Sequence, residues 1–464
     1  MSDTRSVLAK LWSEHGHDTA ALADLDLSGH EPVLPSSFAV GTAMQAAVAA
    51  SALAAAEVWR ARTEHSQKVG VDMRAAAIAA RSERYLNVDG GPAPELWDKI
   101  AGTYRCGDGR WVRLHTNFPH HRDGVLKLLG CAYDKAAVGE ALSRWKAFDI
   151  EDAAAQAKLV VTAMRTFAEW DAHPQGAAIA RLPLLSIDRI GEAPAPRWPQ
   201  GDRPLAGLRV LDLTRIIAGP VCGLTLAAHG AEVMLVTSPN LPSVAPLVID
   251  TGRGKLSTSL DLHDAKGRAA FEAMLRDADV VVQGYRPGGL AALGYGPEDA
   301  ARIRPGIVYV TLSAYGHDGP WANRRGFDSL VQTASGFNAA EAEAAGAEGP
   351  KPLPAQVLDH ATGYLMAFAA MTALLRRARE GGSWHVRASL AQTGCWLRAL
   401  GRINGLAIKD PARDDIRDCL EESESGFGRL SAVRHPATLA ETPPHWARPS
   451  VPLGTHAPEW PREG

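Results

Sequence analysis

From residue 208 onward the chain alternates short apolar runs with segments of helical spacing. "LRVLDLT" (208–214) and "AEVMLVT" (231–237) read as strands buried on both faces, and "GPVCGLTLAAHG" (219–230) reads as a helix closing on a glycine. "AKGRAAFEAMLRDA" (265–278) has helical spacing, and "DVVVQGY" (279–285) and "GIVYVTLS" (306–313) are again strands. Apolar strands separated by helices predict a parallel sheet covered on both faces. The first 200 residues predict α+β structure instead. "GTAMQAAVAASALAAAEVWRAR" (41–62) is an Ala-dominated helix, and "YRCGDGRWVRLHT" (104–116) is a hairpin with a Gly-Asp-Gly turn. "HRDGVLKLLG" (121–130) is a helix ending at Gly130, and residues 166–187 read as a helix, a turn and an edge strand.

Two Pro- and Gly-rich stretches punctuate this pattern. Residues 192–207 read as a linker and 341–355 as a long loop. The tail from about 403 is polar and Pro-rich. Domain bounds of 1–200, 204–402 and 403–464 follow: a helical segment with a small α+β domain, an α/β domain, and a return segment packing on the large domain. A gapless internal match pairs "AAAEVWRARTEHSQKV" (54–69) with "MTALLRRAREGGSWHV" (371–386). In that register Thr42 stands where Asp359 stands.

Composition narrows the function classes. A net charge of -3 over 464 residues excludes a general nucleic-acid binder, which needs a clustered basic surplus. Apolar runs are broken well before about 18 residues, so no membrane span is expected. The N-terminus lacks the apolar core of a signal peptide, and five scattered cysteines without a CxxC pair fit a reducing cytosol. A cytoplasmic protein without structural zinc is the expectation.

Candidate chemistry is sparse. The histidines of "HTNFPHH" (115–121) lack a nearby acid or cysteine and read as a solvated loop rather than a metal site. No GxSxG, Walker or GxGxxG motif is present, so nicotinamide and flavin binding find little support. "DTGRGKLSTSLDL" (250–262) places Arg253 and Lys255 beside glycines, which suits either phosphate or a solvated turn. In "PAQVLDHATGYLMAF" (354–368) Asp359 sits at the entry to a long apolar helix. A carboxylate there caps free N–H groups, and the same donors would keep it ionised for nucleophilic attack. The helix physics alone favours the cap.

The segments "LAGLRVLDLTRIIAGP", "GAEVMLV", "RGKLSTSLDL", "ADVVVQGYRPGGLAALGYG", "PGIVYVTLSAYGHDGP", "FDSLVQTASG" and "DHATGYLMAFAAMTALLRRAREGG" occur in this order over roughly 204–400. Together they resemble the class III CoA-transferases, the carnitine-dehydratase/bile-acid-inducible type. The tail 429–460 resembles that family's return segment, and the first half resembles its small domain, but out of order. The resemblance implies an open, Rossmann-like parallel-sheet domain plus a smaller α+β domain, in rearranged chain order.

It also implies a mechanism. Asp359 matches the aspartate that attacks an acyl-CoA thioester, forming an anhydride and then an aspartyl-CoA thioester that an incoming carboxylate resolves. Thr214, Arg215, Ile217 and Ala218 match the loop along CoA. Arg253, Lys255, Tyr285 and Arg286 lie in stretches that contact nucleotide or pantetheine, and Arg325 lies in a loop facing the reacting end. Coenzyme A enters as a thioester substrate, with a small carboxylic acid as second substrate and no permanently bound cofactor. The family's assembly implies a homodimer of interlocked chains, although the rearranged order lets one chain close on itself. Leu235 and Thr237 replace the family's usual basic and acidic residues, and Ala292 a frequent basic one; Ile217 stands where formate and oxalate enzymes carry glutamine. Two alternatives stay open. A 2-methylacyl-CoA racemase pairs a histidine with the aspartate, but Phe327 occupies the histidine position in Gly326-Phe327-Asp328. A non-catalytic CoA-binding homologue is the other.

Overall fold

A computed structural model describes residues 3–461. In the first half, strand β1 (Leu25–Ser28) precedes the 24-residue helix α1 (Val40–Thr63), strand β2 (Val69–Asp72) and helix α2 (Met73–Ala79). A small domain follows. The hairpin β3 (Gly102–Arg105) and β4 (Trp111–Leu114) leads into helix α3 (Pro119–Leu129), and β5 (Val161–Ala163) completes an antiparallel three-stranded sheet. Gly130 ends α3 at φ 63°, a left-handed cap that glycine adopts without a Cβ penalty. Strand β6 (Leu185–Gly191) then leaves the small domain.

The second half is built on β7 (Arg209–Leu213), helix α4 (Ala218–Ala228), β8 (Glu232–Thr237), β9 (Lys255–Ser259), β10 (Val280–Gln283) and β11 (Val308–Ser313). Helix α5 (Asp328–Ala334), the 24-residue helix α6 (Val357–Glu380), β12 (Ser383–Ser389) and helix α7 (Leu390–Ala399) follow. The seven-stranded sheet has the order β9-β8-β7-β10-β11-β12-β6, parallel except for β6. Its strand order reverses between β7 and β10, and open α/β sheets bind ligands at such a point, beyond the carboxyl ends of the strands. The segment 341–355, expected as loop throughout, starts inside the helix Phe337–Ala345 and becomes irregular only afterwards. The polar tail also carries structure: a hairpin, β13 (Leu420–Ser425) and β14 (Gly428–Val433), and strand β15 (Ala437–Leu439). No helix among the described residues is long and apolar enough to cross a membrane.

The internal match extends to the backbone. Helices α1 and α6 begin at the matched residues Val40 and Val357 and end at the matched residues Thr63 and Glu380. Their N-caps share one conformation, φ -74° and ψ 63° at Ala39 against φ -76° and ψ 61° at Gln356. In the same register, Asp72 caps α2 by accepting from Ala75 N–H, and Ser389 caps α7 by accepting from Gln392 N–H. The two long helices pack against each other in the centre of the main core. Each half also donates a strand to the other. β6 runs antiparallel to β12, pairing Ile187 with Val386 and Leu185 with Ala388. β15 runs antiparallel to β2, pairing Leu439 with Val69 and Ala437 with Val71, the matched positions.

Candidate functional site

A cavity of about 450 Å³ opens at the carboxyl edge of the large sheet. Its wall takes Leu213 from the end of β7 and Arg215 from beyond it, Tyr285 and Arg286 from beyond β10, and Ser238 from beyond β8. Arg325 and Phe327 line it ahead of α5, and Phe118, His120 and His121 close it from the small domain. Asp359 lies in this wall as the only acid from α6 and is 6% exposed.

Local packing sets the position of Asp359. It occupies the third residue of α6, and Gly363 one turn later lets α4 approach; a Cβ there would stand 2.6 Å from the Ala218 carbonyl oxygen. That approach aims the Ala218 N–H at the Asp359 carboxyl. The loop feeding α4 is strained: Ile216 has φ 77°, a rare region for a β-branched residue, and it lines the cavity. On the other side, the Asp359 N–H donates to Asp328 Oδ2 at 3.0 Å. The Gln332 side chain donates to the other Asp328 oxygen. Below the pair, His360 Nε2 lies 3.3 Å from Glu83 Oε2, both buried. Glu83 comes from the first half, so the surroundings of Asp359 are assembled from both halves.

The electrostatics differ from the sequence expectation. Donors at a helix start were expected to hold Asp359 ionised, yet its pKa is raised well above the usual carboxylate range. Burial is the main cause, and the nearby Asp328 and Glu83 carboxyls add to it; the Ala218 N–H pulls the other way but does not win. Asp328 is pushed up to about 6 by burial, against the lowering effect of the Asp359 N–H and Gln332. Burial also pushes Glu83 up, but the His360 hydrogen bond and Arg84 outweigh it and hold that carboxyl below its ordinary value. Asp328 and Asp359 therefore gain charge late as pH rises, and each ionisation disfavours the other.

Of the residues picked from the sequence, Asp359, Arg215, Ala218, Tyr285, Arg286 and Arg325 share the cavity wall. Thr214 and Ile217 are buried behind it, and Thr214 Oγ1 donates to Asp212 Oδ1. Arg253 and Lys255 require correction as phosphate contacts, because their charge is used internally. Lys255 Nζ lies 2.8 Å from Asp212 Oδ2 and donates to the Pro220 carbonyl, with both charged side chains at most 1% exposed. Arg253 pairs with Asp250 at 3.2 Å and Glu421 at 3.2 Å, and stacks on Trp446. The histidine stretch 115–121 is corrected as well. His115 is buried and stacks on Phe327 with ring centroids 3.9 Å apart, and His120 and His121 reach the cavity. Burial, with neighbouring His120, Arg325 and Arg215, lowers His121 to about 3, so this imidazole is neutral at ordinary pH. Asp328, Glu83 and His360 were not singled out from sequence; the only available signal was Asp328 following the Gly-Phe pair.

One expected result follows from the carboxylate pair. Asp328→Asn keeps an acceptor oxygen for the Asp359 N–H but removes the charge that opposes Asp359 ionisation. The acid limb of a kcat/KM–pH profile is expected to move to lower pH. A limb that stays in place would show that burial and Glu83 set it without Asp328. The neighbouring Arg113, Arg84, Glu83 and His360 side chains are unchanged in this variant.

Comparison with known proteins places these features among relatives. The sequence profile described as CoA-transferase family III matches residues 17–197 and 205–410. An acyl-CoA transferase of Gibberella moniliformis is 30% identical over 367 residues, covering 70% of this chain and 64% of the relative. A probable fatty acyl-CoA transferase, Rv3272, of Mycobacterium tuberculosis is 31% identical over 268 residues, 53% of this chain and 68% of the relative. The mouse succinyl-CoA:glutarate CoA-transferase is 33% identical over 217 residues, 42% of this chain and 49% of the relative. The chain thus spans less than two thirds of the first and third of these proteins. Among solved structures, Rv3272 aligns over 42% of this chain and 56% of its own, at 34% identity and a TM-score of 0.40.

Proposed function

The chain belongs to CoA-transferase family III, and we propose that it moves CoA from an acyl-CoA donor to a free carboxylic acid, with Asp359 as the nucleophile. The observation that carries this reading is the buried Asp359 carboxyl set in the wall of a cavity at the sheet's switch point, beside the backbone of Ala218 at the start of α4. The Asp359 carboxylate attacks the thioester carbonyl. The C–S bond breaks, CoA leaves as thiolate, and an acyl–aspartyl anhydride remains. The thiolate attacks the aspartyl carbonyl, freeing the donor acid and leaving an aspartyl-CoA thioester. The acceptor carboxylate attacks that carbonyl and expels the thiolate again; the thiolate then takes the acceptor acyl group and regenerates Asp359. Every step trades one activated acyl bond for another, so the thioester energy is conserved.

The side chains support these steps in separate ways. The Ala218 N–H favours the Asp359 anion, and the same donor would stabilise the oxyanion formed when the aspartyl carbonyl is attacked. Arg215, Arg286 and Arg325 place positive charge in the wall, favouring entry of anionic substrates. Since Asp359 acts as the anion and its pKa is raised, activity is expected to increase as pH rises through that pKa.

The test is a mass-spectrometric screen of acyl-CoA donors against carboxylates, with hydroxylamine or borohydride trapping to mark Asp359 during turnover. A second reading, proton exchange at the α-carbon of an acyl-CoA, draws on His120 and His121 sharing the cavity with Asp359. Deuterium wash-in without CoA exchange would decide for it. CoA binding without turnover across the acid panel would leave a binding protein.

The homodimer implied by the resemblance gives way in this proposal to a single chain. The two strand exchanges, β6 to β12 and β15 to β2, are completed within one chain. Light scattering on an eluting peak is expected to return the mass of one chain; twice that mass would restore the dimer.

A further inference from the structure

A one-turn helix of the first half, Ser82–Tyr85, meets the start of α6 and sends successive side chains to separate parts of the second half. Ser82 Oγ donates to Asp250 Oδ2 at 2.5 Å. Glu83 Oε2 lies 3.3 Å from Nε2 of His360, the residue after Asp359, and the two side chains are 1% and 2% exposed. Arg84 Nη2 donates to the side-chain oxygen of Gln356, the N-cap residue of α6, at 3.2 Å. The Tyr85 hydroxyl donates to the Pro411 carbonyl at 2.9 Å, and Arg81, just ahead of the turn, pairs with Asp410.

Gln356 gives α6 no side-chain cap, so the first turn is held by groups from elsewhere. Asp328 holds the Asp359 N–H, while Glu83 and Arg84 hold the flanking side chains of His360 and Gln356. The internal match separates this hold from what helix formation needs. Helix α1 starts with the same N-cap backbone, and its Thr42 N–H is likewise taken by a carboxylate, but Ala43 and Ala39 stand at the positions of His360 and Gln356. The register carried onward pairs Glu83 with Leu400. The additional hold is present only at the helix that carries the acid. A buried hydrogen bond to an ionised carboxylate is strong and directional, which suits it to fixing one turn. A reacting group displaced by about 1 Å can lose about 100-fold in rate.

We propose that Glu83 is a positioning residue for the transfer reaction: through His360 it fixes the first turn of α6, and with it the Asp359 carboxyl in the cavity wall. This rests on the CoA-transfer reading above. Glu83 also acts by its charge, which adds to burial and to Asp328 in delaying the ionisation of Asp359. The other charged or titratable groups at this place are His360 on α6, Asp328 on α5, Arg113 of the small domain next to Asp328, and Arg84 and Asp250 beside Glu83. Arg253, paired with Asp250, and Arg81, paired with Asp410, lie one contact further out. Position and charge are separable by substitution. Glu83→Gln removes the charge and weakens the bond to His360, whereas Glu83→Asp keeps the charge but loses the reach.

The experiment measures kcat and KM against pH, with the donor and acid selected by the mass-spectrometric screen, for Glu83→Gln, Glu83→Asp, His360→Asn, Ser82→Ala and the double variant Glu83→Gln with His360→Asn. Both Glu83 variants are expected to lower the plateau kcat by about 10- to 100-fold, with little change in the KM for acyl-CoA. The acid limb of kcat/KM should move to lower pH in Glu83→Gln and stay in place in Glu83→Asp. The double variant should lose no more than either single one, because the two residues act as a unit. Ser82→Ala loosens the same turn from Asp250 without touching α6 and should keep the wild-type plateau. A Ser82→Ala plateau as low as that of Glu83→Gln would overturn the proposal, since the turn would then act through stability alone. Losses that multiply in the double variant would overturn it too. Carbon-13 NMR titration of the Asp359 carboxyl, identified by its loss in Asp359→Ala, reads the link without turnover. A wild type that transfers no CoA, with the Asp359 titration displaced to lower pH in Glu83→Gln, would keep the link and sink the transfer reading. An active wild type with plateau and titration unchanged in the Glu83 variants would do the reverse.

Discussion

Replacing Asp359 with alanine is expected to lower the rate of CoA exchange by about 10³-fold or more, as loss of a covalent nucleophile does. It should also abolish hydroxylamine-sensitive labelling. The fold gives this experiment an internal control. Helix α1 has the same length and the same N-cap backbone as α6, yet carries Thr42 at the position of Asp359. In α1 the Thr42 N–H donates to Glu31 Oε1 at 2.7 Å, as the Asp359 N–H donates to Asp328. The helix start is thus held by a carboxylate across from it and needs no acid of its own. Asp359→Thr, which copies the first half, should fold as well as the wild type and be equally inactive. The sign of the stability change is defined too. A carboxyl with a raised folded pKa contributes stability at low pH that is lost as pH rises through that pKa. Removing it should leave the variant as stable as the wild type, or more so, at neutral pH. Full transfer activity in Asp359→Ala would end the mechanism.

The second large effect is expected in stability. Lys255 and Asp212 form an ion pair with almost no solvent contact, and Asp212 also accepts from Thr214 in the strained loop before α4. Lys255→Met leaves a buried carboxylate without its cation, which typically costs about 3–5 kcal/mol. The double variant Lys255→Met with Asp212→Asn removes both charges and should regain much of that loss. Denaturant unfolding of the two variants measures the difference. A double variant no more stable than the single one would show that the loss comes from packing rather than from the stranded charge. Because the pair underlies the loop carrying Arg215 and Ile216, the single variant should also raise the KM for acyl-CoA.

The sheet was legible because its strands are continuous apolar runs between glycines, as in "LRVLDLT" and "GIVYVTLS". The long helices were legible through Ala content and through their match to each other. What stayed hidden depends on contacts distant in sequence. His115 and His121 look solvated in a polar stretch and become buried only where the small domain meets Phe327 and Arg325. Arg253 and Lys255 look free in a Gly-rich turn, but Asp212 and Glu421 reach them from far along the chain; only Asp250, three residues before Arg253, was a local hint. Asp359 was placed by its motif, whereas its late ionisation needed the positions of Asp328 and Glu83. The strands β13 to β15 carry too little alternation to be seen in a polar, proline-rich tail.

The exchange of β15 onto β2 has a consequence for how the chain is made. Strand β2 pairs on one side with β1, residues close by in sequence, but its other edge waits for Ala437–Leu439. A ribosome releases those residues long after β2 itself. Until then the first half holds an open strand edge above an Ala-rich helix whose packing partner, α6, is itself a late product. Such edges and apolar faces invite misassembly in chains still under synthesis. The first half cannot complete this sheet before residue 439 has been made, so chains truncated ahead of residue 437 should be sensitive to proteolysis in their first half, not only at the cut.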